Sequence, residues 1–262
     1  MLHNYAEFHN LILATVIVMA RIGGAFFICP ALSENMIPGL ARKAAVLALS
    51  SFMVPFVMKS MPANDMGVLF VSLLMLKEIF IGFIIGFFVA IPLWIAEGVG
   101  SFIDNQRGAT MGEVYSPLNG SQVSVFGIFF SQIASTLFFA SGAVFAFLGA
   151  LYGSYKIYPV FAPLISFADG ADINAILSLD SLVQAILVLA APAVIIMFLA
   201  TLGLGLVNRT APQLNVFFLS MPVKSAIGIA ILIVYLPYIL DVIIRAKEGE
   251  LLGNAGEIIK GL

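Results

Sequence analysis

Charge is what this sequence lacks. Of its 262 residues only 10% are Asp, Glu, Lys or Arg, while 61% are hydrophobic and the mean hydropathy is +1.10. A soluble domain carries roughly 25% charged residues, so this chain cannot cover a water-facing surface and reads as an integral membrane protein. The formal net charge of −2 gives no electrostatic case for nucleic acid. A single cysteine, Cys29, excludes an internal disulfide. Trp94 is the one tryptophan, so the aromatic belt of a membrane interface is weakly marked. The two histidines, His3 and His9, precede or open the first apolar run, and neither has a metal-ligand neighbour at helical spacing. No His-Glu-x-x-His, no Gly-x-Ser-x-Gly elbow and no phosphate-binding loop occurs. Enzyme chemistry, a metal and a cofactor are therefore not expected. The N-terminus lacks the basic region of a cleavable signal peptide, so none is expected.

Long apolar runs are what is there. About 20 apolar residues cross a bilayer as a helix. By that rule six segments qualify: residues 8–32, 40–58, 66–97, 123–150, 181–207 and 216–240. The fold class is all-α, an integral membrane protein with kinked and broken helices. Pro55, Pro92, Pro192, Pro222 and Pro237 each remove a helix donor, and in lipid the freed carbonyls need protein or water partners. Helices of this kind pack against protein more than against lipid, as in an assembly subunit or a broken-helix transporter. Residues 155–180 are mixed, with an interfacial turn and the aqueous loop Asp169-Gly170-Ala171-Asp172. Residues 241–262 are a polar tail. With six spans, Lys59, Lys156, Arg245, Lys247 and Lys260 share one side, against Arg42, Lys43, Arg107 and Arg209 on the other. The basic tail is therefore placed in the cytoplasm.

Five charges lie in or at the ends of the apolar runs: Arg21, Lys77, Glu78, Glu97 and Lys224. Such a charge costs roughly 2.5–3.5 kcal/mol at a helix centre unless a partner, water or snorkelling relieves it. Lys77 and Glu78 are adjacent and project about 100° apart on a helix, so separate partners are expected for them. A plainer alternative makes the third segment two helices broken near Lys77.

Residues 100–120 form the longest polar interruption, with Asp104, Arg107 and Glu113 and glycines at 100, 108, 112 and 120. They are either a solvated loop or a re-entrant piece lining a path. The second polar break, Asn208-Arg209-Thr210-Ala211-Pro212-Gln213-Leu214-Asn215, ends one apolar run and restarts the next. A plain short turn is the alternative reading.

These two stretches carry a resemblance. Asp104-Asn105-Gln106-Arg107-Gly108-Ala109-Thr110, and the Arg-x-Ala-Pro-Gln-x-Asn pattern from Arg209 to Asn215 followed by Met221-Pro222-Val223-Lys224-Ser225, resemble the SctT family of type III secretion export-apparatus proteins. The flagellar counterpart is FliR, and the first string looks like the virulence-type branch. The resemblance covers nearly the whole chain.

It implies a single-copy subunit of an export gate that passes unfolded polypeptides across the bacterial inner membrane, at the centre of the injectisome base. Implied partners are SctR-like and SctS-like subunits, with SctU-like and SctV-like proteins, secreted polypeptides and membrane lipid. By the same resemblance, residues 1–180 are SctR-like, 181–240 are an SctS-like helical hairpin, and 241–262 are the tail. Within the first part, residues 106–122 match a loop that plugs the closed channel. The plug would comprise Gly108, Ala109, Thr110, Met111, Gly112, Glu113, Val114, Tyr115, Ser116, Pro117, Leu118 and Asn119. Asp104, Asn105, Gln106 and Arg107 would anchor its base. Asn208, Arg209, Pro212, Gln213 and Asn215 would make a subunit joint. The competing function is a small-solute secondary transporter using Lys77, Glu78 or Glu97 for coupling.

Overall fold

Apolar residues without strand punctuation should fold as helices, and they do. A computed structural model describes residues 2–34, 36–62, 67–108, 124–162, 171–211, 213 and 216–248. Among these the chain is all-α, with no strand. Its helices are α1 (Leu2–Ile28), α2 (Gly39–Ser51), α3 (Val54–Lys59), α4 (Val68–Arg107), α5 (Val125–Ala140), α6 (Ala143–Ile157), α7 (Ala171–Thr210) and α8 (Val216–Glu248). A single 3₁₀ turn, Pro30–Leu32, follows α1.

Four helices are long and apolar enough to cross a membrane, or five spans if the bent pair α5–α6 counts as one. Six were expected, and the difference has two physical causes. The second segment is two short helices, α2 of 13 residues and α3 of 6, parted at Phe52-Met53 with Pro55 in the first turn of α3. Proline is welcome there because that position's N–H has no intrahelical acceptor. The fourth segment bends by 71° between α5 and α6. Gly142, at φ +74°, makes the bend in a left-handed conformation that glycine adopts at low cost.

The alternative of a break near Lys77 is overturned. α4 runs unbroken for 40 residues, about 60 Å at 1.5 Å per residue, through Lys77, Glu78 and Pro92. It absorbs residues 100–107, so Asp104 to Arg107 form its last turn rather than the start of a loop. α7 likewise begins ten residues before the expected 181, and both it and α8 continue through their prolines.

The described residues fall into two compact units. One holds the helices within Met1–Ile91 and Phe138–Ala175, the other those within Pro92–Leu137 and Ile176–Ala246. In the first, α1 crosses α4 at bare backbone. A Cβ on Gly24 would lie 2.5 Å from Ile79 O, one on Gly82 would run into Arg21 O, and one on Gly86 into the backbone of Ala25. The Gly82-x-x-x-Gly86 spacing is the signature of such close helix pairs in membranes. Phe147 fills the space beside them, 6.2 Å from Phe26 and 6.4 Å from Phe138 between ring centroids. Arg42 donates to Phe26 O at 2.8 Å, a cation on a helix C-terminus.

Candidate functional site

Two polar clusters stand out, one in each unit. The first is built on Arg21, two turns before the C-terminal end of α1 and fully buried. Its guanidinium meets four groups. Nε lies 2.6 Å from Glu78 Oε2 on α4. One terminal nitrogen donates to Ser154 Oγ at 2.9 Å and the other to Tyr158 O at 2.9 Å. The plane stacks over the Tyr155 ring at 4.0 Å. Glu78 is fully buried as well. Its second oxygen lies 3.3 Å from Lys77 Nζ, without an aligned hydrogen bond. Lys77 also donates to Val160 O at 2.5 Å, with Pro159 O and Ala162 O each at 3.4 Å. Adjacent Lys77 and Glu78 thus contact each other, contrary to the expectation from their helical angle, because a lysine's long stem can swing back. Each has its own further partner too.

The chemistry here is containment. Two cations and one anion share a buried space, and the surplus positive charge faces the carbonyls after α6. Tyr158 O is the C-cap carbonyl of α6, and the others belong to the turn that follows it. Removing one member of a buried ion pair strands the other, which in soluble proteins costs about 3–5 kcal/mol.

The second cluster joins the last turn of α4 to the first turn of α5. Asp104 is buried. Its Oδ2 accepts from Ser124 Oγ at 2.7 Å and from the Phe126 N–H at 2.9 Å. Ser124 is the N-cap of α5, accepting from the Gly127 N–H at 2.8 Å. A carboxylate at this spot also meets the positive end of the helix dipole. Arg107 Nε lies 2.8 Å from Asp104 Oδ1, an oblique ion contact one turn along. The same guanidinium covers the Phe126 ring at 4.4 Å. Gly100 and Gly127 permit the close approach, since a Cβ on Gly100 would strike Phe126 O. Gly108, at φ +89°, ends α4 with its N–H on Asn105 O at 3.2 Å.

Asn105 is exposed, and Gln106 and Gly108 are half-buried. The other plug residues, 109–119, lie outside the described residues, as do Pro212 and Asn215. Asn208 and Arg209, at the end of α7, and Gln213 beyond it are all exposed. Glu97 is exposed on α4, and Lys224 is half-buried on α8. Ser124, Ser154, Tyr155 and the carbonyls after α6 carry no sequence signal, being ordinary residues far along the chain from the charges they serve.

The profile of the family described as bacterial export proteins, family 1, matches residues 12–248. Yop proteins translocation protein T of Yersinia pestis is 39% identical over 227 residues, 86% of this chain and 86% of its own length. Secretion system apparatus protein SsaT of Salmonella typhimurium is 36% identical over 210 residues, covering 79% and 80% of the two chains. Flagellar biosynthetic protein FliR of Bacillus subtilis is 29% identical over 240 residues, covering 89% and 90%.

Proposed function

The chain belongs to the bacterial export proteins, family 1, and on that premise we propose that it is one subunit of a type III secretion export gate in the bacterial inner membrane. The gate conducts unfolded polypeptides, and the chain is one part of a multi-subunit complex. The observation that carries this reading is the bareness of its last two long helices. Only 22% of the membrane-length window of α7 is buried inside the chain, and only 11% of that of α8. Helices so little covered by their own chain are suited to being covered by neighbours. Family membership displaces the small-solute transporter alternative.

The finer reading follows the resemblance. One copy assembles with SctR-like and SctS-like subunits and meets SctU-like and SctV-like proteins. Residues 1–180 take the SctR-like role, 181–240 the SctS-like hairpin, and 241–262 a cytoplasmic tail. Residues 108–119 obstruct the closed channel. The Asp104 cluster supports this last point, because one carboxylate ties the chain just before that segment to the chain just after it. Asn208, Arg209, Pro212, Gln213 and Asn215 form a joint to a neighbouring subunit, which their exposed members leave free to do.

Affinity purification of the tagged chain from detergent-solubilised membranes tests the assembly. SctR-like and SctS-like subunits should co-purify; a chain recovered alone or as a homo-oligomer defeats the reading. In the intact complex, deleting residues 110–118 should raise ion leakage. Unchanged leakage with normal assembly defeats the plug assignment alone.

A further inference from the structure

A groove in the second unit has a charge that the rest of the site does not use. Trp94, Glu97, Gly98 and Ser101 line one wall, at spacings of three, four and seven residues that place them on one face of α4. Leu182 and Ile186, one turn apart on α7, line the other. The groove is open and encloses about 450 Å³. Gly98 sets its floor, since a Cβ there would come within 2.5 Å of Ile186 Cδ1.

Glu97 is the one charged side chain of the six, and it is exposed. No charged residue precedes it on α4 back to Glu78. That run, residues 79–96, rises about 27 Å, close to the roughly 30 Å hydrocarbon core. The two carboxylates thus bracket a membrane-length run, and they differ in one respect. Glu78 is buried against Arg21 and Lys77, whereas among the described residues no cation pairs with Glu97.

We infer that this groove receives a lysine or arginine from an apolar helix of another subunit, with Glu97 as its counter-ion. This rests on the reading of the chain as one part of a gate. The walls fit the ligand: Leu182 and Ile186 take the methylene stem of a long cationic side chain. A carboxylate at the edge of the hydrocarbon core is relieved by a paired cation. An amine-bearing lipid fits less well. A zwitterionic headgroup brings a phosphate, and the groove holds no cation to receive it. The exposed apolar face of α7 continues past the groove at Val183 and Leu187, giving a helix further surface to lie on.

The test places a photo-reactive benzoylphenylalanine at position 182 in the intact membrane complex and identifies the adduct peptide. The expected adduct is a helix of another export-apparatus subunit with Lys or Arg within one turn of the linked residue. Glu97→Lys should lower its yield at least about tenfold, the equivalent of about 1.4 kcal/mol. Reversing the partner's cation to Glu should restore it. If Glu97→Lys abolishes assembly, the partner reversal must rescue assembly, and Glu97→Gln must lower the adduct in the complex that still forms. An adduct to lipid only, to a second copy of this chain, or insensitive to the charge at 97 overturns the inference. Failure of the wild-type chain to co-purify with export subunits overturns the functional reading instead.

Discussion

α1 and α4 bury 44% and 56% of their membrane-length windows inside the chain; α7 and α8 bury 22% and 11%. All four are apolar enough to span a bilayer, so hydropathy does not separate them. What separates them is how much cover the chain itself provides. At the α1–α4 crossing the glycines are filled, with backbone of the partner helix where their side chains would be. On α7, Gly203 and Gly205 have nothing within 4 Å of where a Cβ would stand. The same residue type marks a completed contact at the one place and an open surface at the other. The charges show both conditions too, with Arg21 and Glu78 buried and paired inside the chain while Glu97, further along α4, is exposed. One part of the molecule is finished on folding, and the other is left open by its own chain.

The largest expected effect probes the finished part. Arg21→Ala or Glu78→Ala should each destabilise the chain by about 3–5 kcal/mol, read as thermal unfolding in detergent. The double variant Arg21→Met/Glu78→Leu should recover most of the loss, because it leaves no stranded charge. Equal losses in the single and double variants would remove the ion pair as the distinguishing feature of this region.

Next, Gly82→Ala should cost about 1–3 kcal/mol by forcing α1 and α4 apart. Gly203→Ala should be neutral or stabilise the isolated chain by up to about 1 kcal/mol, through helix propensity alone. Its harm, where it has any, should appear only as reduced recovery of the complex. If both substitutions act alike on the isolated chain, the contrast between filled and open glycines fails.

An effect of the same order is expected at the junction of α4 and α5. Asp104→Ala removes two charge-assisted hydrogen bonds and should cost about 1–3 kcal/mol, with faster amide exchange at Phe126 and Gly127. Asp104→Asn keeps an acceptor and should lose less. The smallest concerns Cys29. Burial pushes its thiol up to about 11, against the lowering effect of backbone hydrogen bonds from Ala31 and Leu32. Since the thiolate is the nucleophile, maleimide should leave the folded chain unlabelled at pH 8 and label it after denaturation.

Helices were legible in the sequence because long apolar runs admit no other structure in lipid. Their breaks were less so. Proline draws attention as a breaker, yet Pro92, Pro192, Pro222 and Pro237 sit inside continuous helices. The sharp bend falls at Gly142, in a stretch that composition marks as one span. For the candidate site, the expensive residues were visible and their partners were not. Arg21 needs Ser154 and Tyr158, 133 and 137 residues away, and Asp104 needs Ser124, 20 residues on. Those pairings belong to tertiary structure, which no local spacing encodes. Gly82-Phe83-Ile84-Ile85-Gly86 is the exception, a short pattern that does announce a crossing.

That crossing also constrains how the chain can change over generations. Any replacement at Gly82 begins with a Cβ, and the space for that atom already holds the Arg21 carbonyl. Position 82 therefore has no conservative neighbour: alanine, the mildest step away, meets main chain, which cannot rotate aside as a side chain can. A lineage that loses this glycine must shift one helix against the other, and those two helices are the ones that Arg21 and Glu78 hold together.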